Sequence, residues 1–173
     1  MIFNDNELPP TGAVLNFVDY FAGLFDGEGC FMVNFNKSKS GVSIVPRIKI
    51  TSTNREITEL LKEKVGGGAY PYNEKKLKVG YALGYGWYVS SFKEIERIVN
   101  LIDQKLIIKR DELKIFKEIL KIIKNKRAER GVARKGFSKE EVLKIAELRD
   151  KLKKRHGVGY RNRLWFEKMF SGS

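Results

Sequence analysis

The chain has 173 residues, 42% of them hydrophobic, so it can bury the core of one domain of ordinary size and is not a disordered chain. Its formal net charge of +13 favours an acidic partner, most often nucleic acid, with membrane surfaces and ribosomes as alternatives. A single cysteine, Cys30, excludes an internal disulfide and a cysteine-rich zinc site. A single histidine, His156, excludes Cys/His zinc chemistry and a histidine-dependent nuclease motif within one chain.

The amino terminus, MIFNDNELPP, lacks the basic segment of a secretory signal, and the apolar stretch after it is too short and too interrupted for a membrane span. We therefore expect a soluble protein with no membrane partner that works where it is made. That place would be the cytoplasm of a prokaryote, close to the nucleoid, or an organelle matrix if an organelle encodes the chain.

The basic residues are unevenly distributed. Residues 1–103 hold 12 basic and 12 acidic side chains, whereas residues 104–163 hold 21 basic and 8 acidic ones. Within the balanced part, no acid occurs from Gly29 to Arg55, a stretch that contains several cations. We therefore expect a local basic surface there as well as a basic carboxyl-terminal third.

The first predicted element is a helix from Ala13 to Phe25, in which only Asn16 and Asp19 are strongly polar. A helix that is apolar nearly all round must be covered on more than one side. One stripe of this helix has the spacing i, i+3, i+4 and i+7 and consists of Tyr20, Gly23, Leu24 and Gly27. The two glycines cost roughly 1 kcal/mol each relative to alanine but allow close backbone approach, so the stripe is typical of a helix–helix contact.

At the end of this helix, Gly27 and Gly29 are predicted caps, and Asp26 and Glu28 place carboxylates where the helix dipole is negative. Acids there are unfavourable unless a cation joins them. If the stripe packed against the same stripe of a second copy, two Glu28 carboxylates and nearby carbonyls would converge, an oxygen set that suits Mg²⁺. The alternative is a core helix followed by two solvated acids in a glycine-rich turn.

Two apolar/polar alternations, from Phe31 to Asn36 and from Ile44 to Thr51, predict a β-hairpin with one polar face. Asparagine can pair with adenine, and arginine or lysine with guanine, in the major groove. An ordinary solvated sheet face is the alternative. The residues of the two predicted hairpins that we expect to contact DNA are Met32, Asn34, Asn36, Lys37, Ser38, Lys39, Arg47, Lys49, Thr51, Tyr72, Lys76 and Lys78.

A second helix is predicted from Thr53-Asn54 to the glycine run 66–68, followed by a second hairpin formed by residues 69–72 and 79–89. The aromatic residues of this hairpin could stack on bases, although we expect most of them to pack between sheet and helices. They are Tyr70, Tyr72, Tyr81, Tyr85, Trp87 and Tyr88.

Ser90-Ser91 opens a third predicted helix, and residues 107–123 form a fourth. A basic linker, 124–137, leads to a plausible capping box at Ser138 and Glu141, which begins a helix to about Lys154. The basic run from Lys151 to Arg163 is either a phosphate-binding tail or a solvated helix end. The order helix, hairpin, helix, hairpin, helix predicts an α+β fold, αββαββα, with helices on one face of an antiparallel sheet and further carboxyl-terminal helices.

The segment FAGLFDGEG, residues 21–29, resembles the signature nonapeptide of the LAGLIDADG homing endonucleases. Phe21 and Phe25 are apolar replacements, and Glu28 keeps the terminal acid. The single copy of the motif resembles the homodimeric branch of the family, and the likeness covers about residues 12–125. We therefore expect a core domain at 1–125 and a basic helical extension of the same domain at 126–173.

The resemblance implies a Mg²⁺-dependent endonuclease, with Mn²⁺ as a substitute, that makes a double-strand cut with 3′ overhangs in a long pseudo-palindromic site. It implies Glu28 and the Gly27 carbonyl as metal ligands, and a dimer interface along the stripe of the first helix. Ser52, Arg55 and Lys109 match the periphery of the family's catalytic site, and Asp26 is expected to stabilise the turn or orient its neighbour. Relatives often carry glutamine at the position of Ser52, and Arg55 could equally be a surface residue at a helix start.

Two other functions remain open from the residues. A noncatalytic binder on the same scaffold would act as an intron-splicing maturase, with intron RNA as partner, or as a DNA-binding regulator. A generic basic RNA-associated protein would leave the glycine stripe unexplained. The intact acid at Glu28 favours the endonuclease, because a pure binder has no use for an unpaired carboxylate that faces phosphates.

Overall fold

A computed structural model of the chain describes residues 16–38, 41–72, 83–129, 136–153 and 167. Two long strands follow the first helix, and then come one helix, two strands and three helices, in the order that the sequence predicts. The elements are α1 (Phe17–Glu28), β1 (Gly29–Ser38), β2 (Gly41–Ser52), α2 (Arg55–Val65), β3 (Gly68–Tyr72), β4 (Gly84–Val89), α3 (Phe92–Ile102), α4 (Arg110–Glu129) and α5 (Lys139–Lys153). The predicted αββαββα order and the carboxyl-terminal helix are confirmed.

The four strands form one antiparallel sheet in the order β1-β2-β4-β3. Gly29 pairs with Ile50, and Ile50 pairs with Trp87 on its other side. Since cross-strand partners lie on the same face of a sheet, this register determines which side chains of all four strands are neighbours.

Helices cover one face of the sheet and leave the other face open. On β1, Phe31, Val33 and Phe35 are buried, while the residues between them are only half-buried. Alternate residues of a strand point to opposite faces, so this pattern identifies one face packed against helices. Phe31 stacks on Phe116 of α4 at 4.8 Å between ring centroids, and Phe21 of α1 meets Trp87 of β4 edge-on at 5.8 Å. The α+β fold with helices on one face is therefore confirmed.

The first helix differs from its prediction at both ends. It begins at Phe17, because the side chain of Asn16 accepts a hydrogen bond from the Val18 N–H at 3.1 Å and caps the helix; residues 13–15 of the predicted helix lie outside the described residues. Gly27 lies inside the last turn, so its predicted role as a cap is wrong. Gly29 is the cap, with extended backbone, and a Cβ at this position would collide with Phe25.

The fourth helix begins at Arg110, three residues later than predicted, and continues to Glu129. The expected linker at 124–137 is therefore wrong for residues 124–129, which are helical. Apolar periodicity alone suggested a start at Ile107, yet Ile107 and Ile108 are 79% and 62% exposed. Their backbone N–H groups donate hydrogen bonds to the Asp26 carboxylate instead of starting the helix.

The capping box of α5 is confirmed, since Ser138 N–H donates to Glu141 Oε2 at 2.7 Å and Glu141 N–H donates to Ser138 Oγ at 3.2 Å. This helix packs against α4 and β1. The predicted basic tail lies mostly outside the described residues, which end at 153 apart from residue 167. Within the described ranges, no helix is long and apolar enough to cross a membrane.

Candidate active site and nucleic-acid interface

The carboxyl end of α1 presents Glu28 at the surface, where the helix meets the sheet. Glu28 is the last helical residue, and it is exposed. Asp26, two positions earlier, is 8% exposed. The last turn of α1 contains no basic residue, so a cation that balances the negative end of the helix dipole must come from another element.

Asp26 anchors the turn that precedes α4. Its carboxylate accepts hydrogen bonds from three successive backbone N–H groups: Ile107 at 2.7 Å, Ile108 at 3.2 Å and Lys109 at 2.9 Å. These residues lie 81 to 83 positions away in sequence. The turn that Asp26 stabilises is therefore the turn before α4, and not the glycine-rich turn after α1.

The environment of Asp26 keeps it ionised. Burial by itself raises the pKa of this carboxyl, but the backbone N–H groups of Ile107, Lys109 and Ile108, together with the Lys109 ammonium, outweigh burial. The pKa of Asp26 consequently lies below its ordinary value of 3.8. A charged acceptor at this position makes stronger hydrogen bonds than a neutral one, so the turn is firmly held.

Lys109 supplies the cation that the end of α1 lacks. Its side chain is buried, its ammonium donates to the backbone carbonyl of Asp26, and it reaches the Gly27 carbonyl at 3.5 Å. Lys109 thus lies immediately before α4, against the same helix end that carries Glu28. Of the residues expected at the catalytic site, Lys109, Gly27 and Glu28 are brought to one place.

Ser52 and Arg55 lie at the end of β2 and the start of α2. Because Gly29 pairs with Ile50, Ser52 is at the same end of the sheet as Glu28. Its Oγ accepts from the Asn54 N–H at 3.0 Å. The Arg55 side chain is 69% exposed, with Nε 3.6 Å from Glu59 Oε1, an arrangement that matches a surface residue at a helix start.

Within the described part of the chain, no three His, Cys, Asp or Glu side chains cluster closely enough to hold a metal ion. What the end of α1 offers is one exposed carboxylate, that of Glu28, beside backbone carbonyls. All of these donors are oxygens, the ligand type that hard divalent cations prefer. The positively charged Lys109 ammonium already contacts the carbonyls of Asp26 and Gly27. The oxygen atoms at this helix end therefore suit a cation.

The open face of the sheet carries the polar residues expected to contact DNA. The register pairs Met32 with Arg47 and Cys30 with Lys49. Strand alternation adds further polar side chains of β1 and β2 to this face, namely Asn34, Asn36 and Thr51. For Lys37 and Ser38 only the backbone, at the end of β1, is described, and Lys39, Lys76 and Lys78 lie outside the described residues.

Three tyrosines share this open face with the cations, so the expectation that most aromatics pack beneath the helices is wrong for Tyr70, Tyr72 and Tyr88. The Arg47 guanidinium carbon is 5.0 Å from the ring centroid of Tyr88, and Lys49 Nζ is 4.8 Å from that of Tyr72. Burial lowers the pKa of Lys49, and the neighbouring Arg47 lowers it too, although Cys30 opposes this.

The two glycines of the predicted stripe of α1 face away from the rest of the described chain, whereas Leu24 packs against the hydrophobic core. Gly23 and Gly27 are exposed, while Tyr20 and Leu24 are half-buried. A Cβ added at either glycine would meet nothing within 4 Å. Packing within the described residues therefore does not require glycine at these two positions.

A family model described as LAGLIDADG endonuclease matches residues 21–122, which is more than half of the 173 residues. The chain belongs to the LAGLIDADG endonuclease family. The matched region starts at the first residue of the FAGLFDGEG motif and ends within α4. The resemblance expected from the motif is confirmed, and no curated protein matches the chain at a significant level.

Solved structures of homing endonucleases share the fold of this LAGLIDADG chain. The archaeal intron-encoded I-Vdi141I complexed with DNA has a TM-score of 0.68 at 22% identity, covering 90% of this chain and 98% of that one. I-CvuI in complex with the I-CreI target has a TM-score of 0.70 at 13% identity, covering 90% of this chain and 92% of that one. I-SmaMI bound to an uncleaved DNA target gives 0.64 at 20% identity, covering 91% of this chain but 49% of that one.

Sequence reasoning missed two features of this LAGLIDADG site. The long-range hydrogen bonds of Asp26 have no local signal, because they join residues more than 80 positions apart. The tyrosines of the open face did have a signal in the sequence. Gly84, Gly86 and Tyr88 occupy every second position of β4, and Gly68, Tyr70 and Tyr72 occupy every second position of β3. Alternation at period two was available from the sequence, and it assigns these residues to the face opposite Trp87.

Proposed function

We propose that this chain is a site-specific homing endonuclease that acts as a homodimer on a long pseudo-palindromic DNA site. It hydrolyses one phosphodiester bond in each strand and leaves 3′ overhangs, with Mg²⁺ as cofactor and Mn²⁺ as a substitute. The observation that carries the proposal is the exposed Glu28 carboxylate at the end of α1, beside the carbonyls that the Lys109 ammonium contacts. Membership of the LAGLIDADG endonuclease family supports the reaction class.

In this proposal, the residues at the end of α1 have different roles in metal binding and in positioning Lys109. Glu28 and the Gly27 carbonyl would hold the divalent cation, and Asp26 holds the turn that positions Lys109. When bound, Mg²⁺ supplies charge stabilisation to the attacking and leaving oxygens of the phosphodiester. The Lys109 ammonium offsets part of the negative charge that develops on the scissile phosphate, because it is fixed in place before the reaction begins.

Ser52 and Arg55 belong to the outer part of the proposed site. Ser52 ends β2 at the same end of the sheet as Glu28, and Arg55 follows on the first turn of α2. The weak ion pair between Arg55 and Glu59 is exposed, so little free energy is lost if Arg55 releases it to contact a phosphate.

The homodimer is supported by the two uncovered glycines of the α1 stripe. Gly23 and Gly27 leave room for the backbone of a second helix, and the chain carries one copy of the motif. This chain matches about half of the length of I-SmaMI, so two copies would provide as much of the fold as that longer chain. Two copies would also bring together two Glu28 carboxylates, one for each DNA strand.

The open sheet face is the proposed DNA-binding surface. No acid occurs between Gly29 and Arg55, and on this face Arg47 and Lys49 lie over tyrosine rings. Cations on a face that also presents asparagine amides can contact base edges and phosphates in the major groove. I-Vdi141I, which has the same fold, is described in complex with DNA.

The test of the endonuclease is a cleavage assay on a large pool of random double-stranded DNA with Mg²⁺, in which newly formed ends are sequenced. We expect recurrent 3′-overhang ends centred on a near-palindrome. Glu28→Gln should remove these ends, a rate loss of at least about 100-fold if a metal ligand worth several kcal/mol is lost. Binding should persist, since the variant only loses a negative charge that faces phosphates.

Glu63→Gln is the matched control, because Glu63 is an exposed acid of α2 with a side chain that is 69% exposed. It should cleave like the wild type. Full-rate cleavage by Glu28→Gln would contradict the assignment of Glu28. If the wild type enriches a bound sequence but cuts nothing, the chain is a noncatalytic binder, and intron RNA becomes the next ligand to test.

A further inference from the structure

Strands β3 and β4 pair three tyrosines with three glycines on the open face. The register places Gly68 opposite Tyr88, Tyr70 opposite Gly86 and Tyr72 opposite Gly84. In each pair the ring lies over the glycine: a Cβ on Gly86 would be 3.2 Å from Tyr70 Cζ, and one on Gly68 would be 3.3 Å from Tyr88 Cε1. A Cβ on Gly84 would collide with the ring of Tyr72.

These three rings form a layer on the sheet, which we call the tyrosine platform (Tyr70, Tyr72 and Tyr88). Tyr70 and Tyr88 contact each other edge to face, with ring centroids 4.9 Å apart and an interplanar angle of 81°. Aromatic pairs prefer this arrangement. Since each ring is seated on a glycine and two of them also brace each other, the platform is a fixed part of the open face.

The platform supports the two cations of β2. The guanidinium of Arg47 lies over Tyr88, and the ammonium of Lys49 lies over Tyr72, both within the range of cation–π attraction. Arg47 Nε is buried without a hydrogen-bond partner among the described residues. The rings, rather than carboxylates, therefore hold these cations, and no described acid competes with a ligand for their charge.

We propose that the tyrosine platform determines base specificity by fixing Arg47 and Lys49, with Tyr88 as the positioning residue for Arg47 and Tyr72 for Lys49. The inference rests on the proposed function, in which this face lies in the major groove of DNA. A flexible arginine reaches bases and phosphates alike, whereas a guanidinium held on a ring presents its donors in one direction. The rings act as supports and do not stack on bases, because the bases of an intact duplex are stacked on each other.

The experiment is a selection of bound sequences from a random duplex DNA pool, carried out in parallel for the wild type and its variants. Arg47→Ala should remove the base preference at one symmetric pair of positions, where a direct contact gives roughly 5- to 150-fold discrimination. Tyr88→Leu should reduce the discrimination between bases at the same pair of positions to less than about threefold. The base preferences at the other positions should stay unchanged. The double variant should be no worse than Arg47→Ala alone at these positions.

Two control variants separate ring support from other roles of tyrosine. Tyr88→Phe keeps the ring and should retain the wild-type preference. Tyr85→Leu makes the same change on the opposite face of β4 and should also retain it. Tyr72, which is 37% exposed on the edge strand, allows an independent test if Tyr88→Leu does not fold: Tyr72→Leu should flatten the positions that Lys49→Ala flattens.

The possible failures are distinguishable. If the wild type enriches a sequence and both Tyr88→Leu and Tyr72→Leu keep its preferences, the platform inference is overturned and the proposed function stands. If Tyr88→Phe loses the preference as Tyr88→Leu does, the hydroxyl reads the base directly and the supporting role is overturned. If the wild type enriches no sequence at all, DNA recognition fails, and this inference fails with it.

Discussion

Asp26 is the residue that joins the two halves of the candidate site. It lies in α1 next to the proposed metal ligands, and its carboxylate holds the N–H groups of the turn that carries Lys109. The Lys109 ammonium in turn donates to the Asp26 carbonyl and reaches the Gly27 carbonyl, so the backbone and a side chain of each segment take part in the contact. A buried charge is tolerated only with such partners. Asp26 is therefore structural, although it belongs to the motif that identifies the family.

Asp26→Asn should destabilise the chain. Asparagine keeps one acceptor oxygen but turns an NH₂ group toward backbone donors, which leaves at least one buried N–H unpaired. The free energy of unfolding should fall by about 1–3 kcal/mol. Urea unfolding followed by circular dichroism, at equal protein concentration for both variants, measures the difference.

Asp111→Asn is the control for this prediction, because Asp111 is an acid at the start of α4 whose side chain is 89% exposed. It should change the unfolding free energy by less than about 1 kcal/mol. Equal stability of Asp26→Asn and the wild type would show that the hydrogen bonds to residues 107–109 contribute nothing net.

At the scale of single elements, β2 is the strand that carries the two cations proposed to recognise DNA. It lies inside the sheet between β1 and β4, so its open-face residues Arg47 and Lys49 have neighbours on both sides. One face of the strand is fixed by burial of Ile48 and Ile50. A slip of one residue would bury the cations and expose the isoleucines, so the hydrophobic face secures the register of the polar one.

Arg47→Ala and Lys49→Ala should each change base preference at one symmetric pair of positions by about 1–3 kcal/mol, if these side chains contact bases. Competition binding against single-base variants of the selected site measures the change. An unchanged preference with a shallower dependence of affinity on salt would instead make them phosphate contacts. Lys64, an exposed lysine of α2, provides the matched control, and Lys64→Ala should alter neither property.

At the scale of the whole molecule, the proposed enzyme needs two copies of the chain. One chain offers an open basic sheet face and one Glu28, whereas a double-strand cut requires two catalytic carboxylates. The uncovered glycines of the α1 stripe, Gly23 and Gly27, lie on the surface where a second copy would complete the site. Dimerisation and catalysis would then depend on the same helix, because its outer stripe and its last turn are adjacent.

Gly23→Leu should prevent dimerisation without harming the monomer. A Cβ at Gly23 would meet nothing within 4 Å, and leucine favours a helix over glycine by roughly 0.5–1 kcal/mol, so the monomer should tolerate the change. In a dimer, however, the new side chain would hold the two helices apart. Light scattering should report a monomer for this variant and a dimer for the wild type.

Lys64→Leu places the same side chain on an exposed position of α2 and should leave the dimer intact. A Gly23→Leu variant that remains a stable dimer would contradict the proposed interface. The wild-type chain itself must be dimeric for this comparison to support the proposal.

The sequence by itself determined the features that depend on local periodicity and short motifs. Alternation of apolar residues defined β1 and β2 and their open face, and the spacing of Ser138 and Glu141 defined the start of α5. The FAGLFDGEG motif identified the family because an apolar helix, a glycine stripe and a terminal acid occur together. These patterns are local in the sequence, so they can be recognised without knowing which helices and strands contact each other.

Only the tertiary structure decided the features that join distant parts of the chain. The pattern of apolar residues placed Ile107 and Ile108 inside a helix, but the Asp26 carboxylate takes their N–H groups and leaves both side chains exposed. Likewise, the pairing of tyrosines with glycines depends on the register between β3 and β4. Both outcomes follow from hydrogen bonds formed between elements, and such bonds leave no trace in local periodicity.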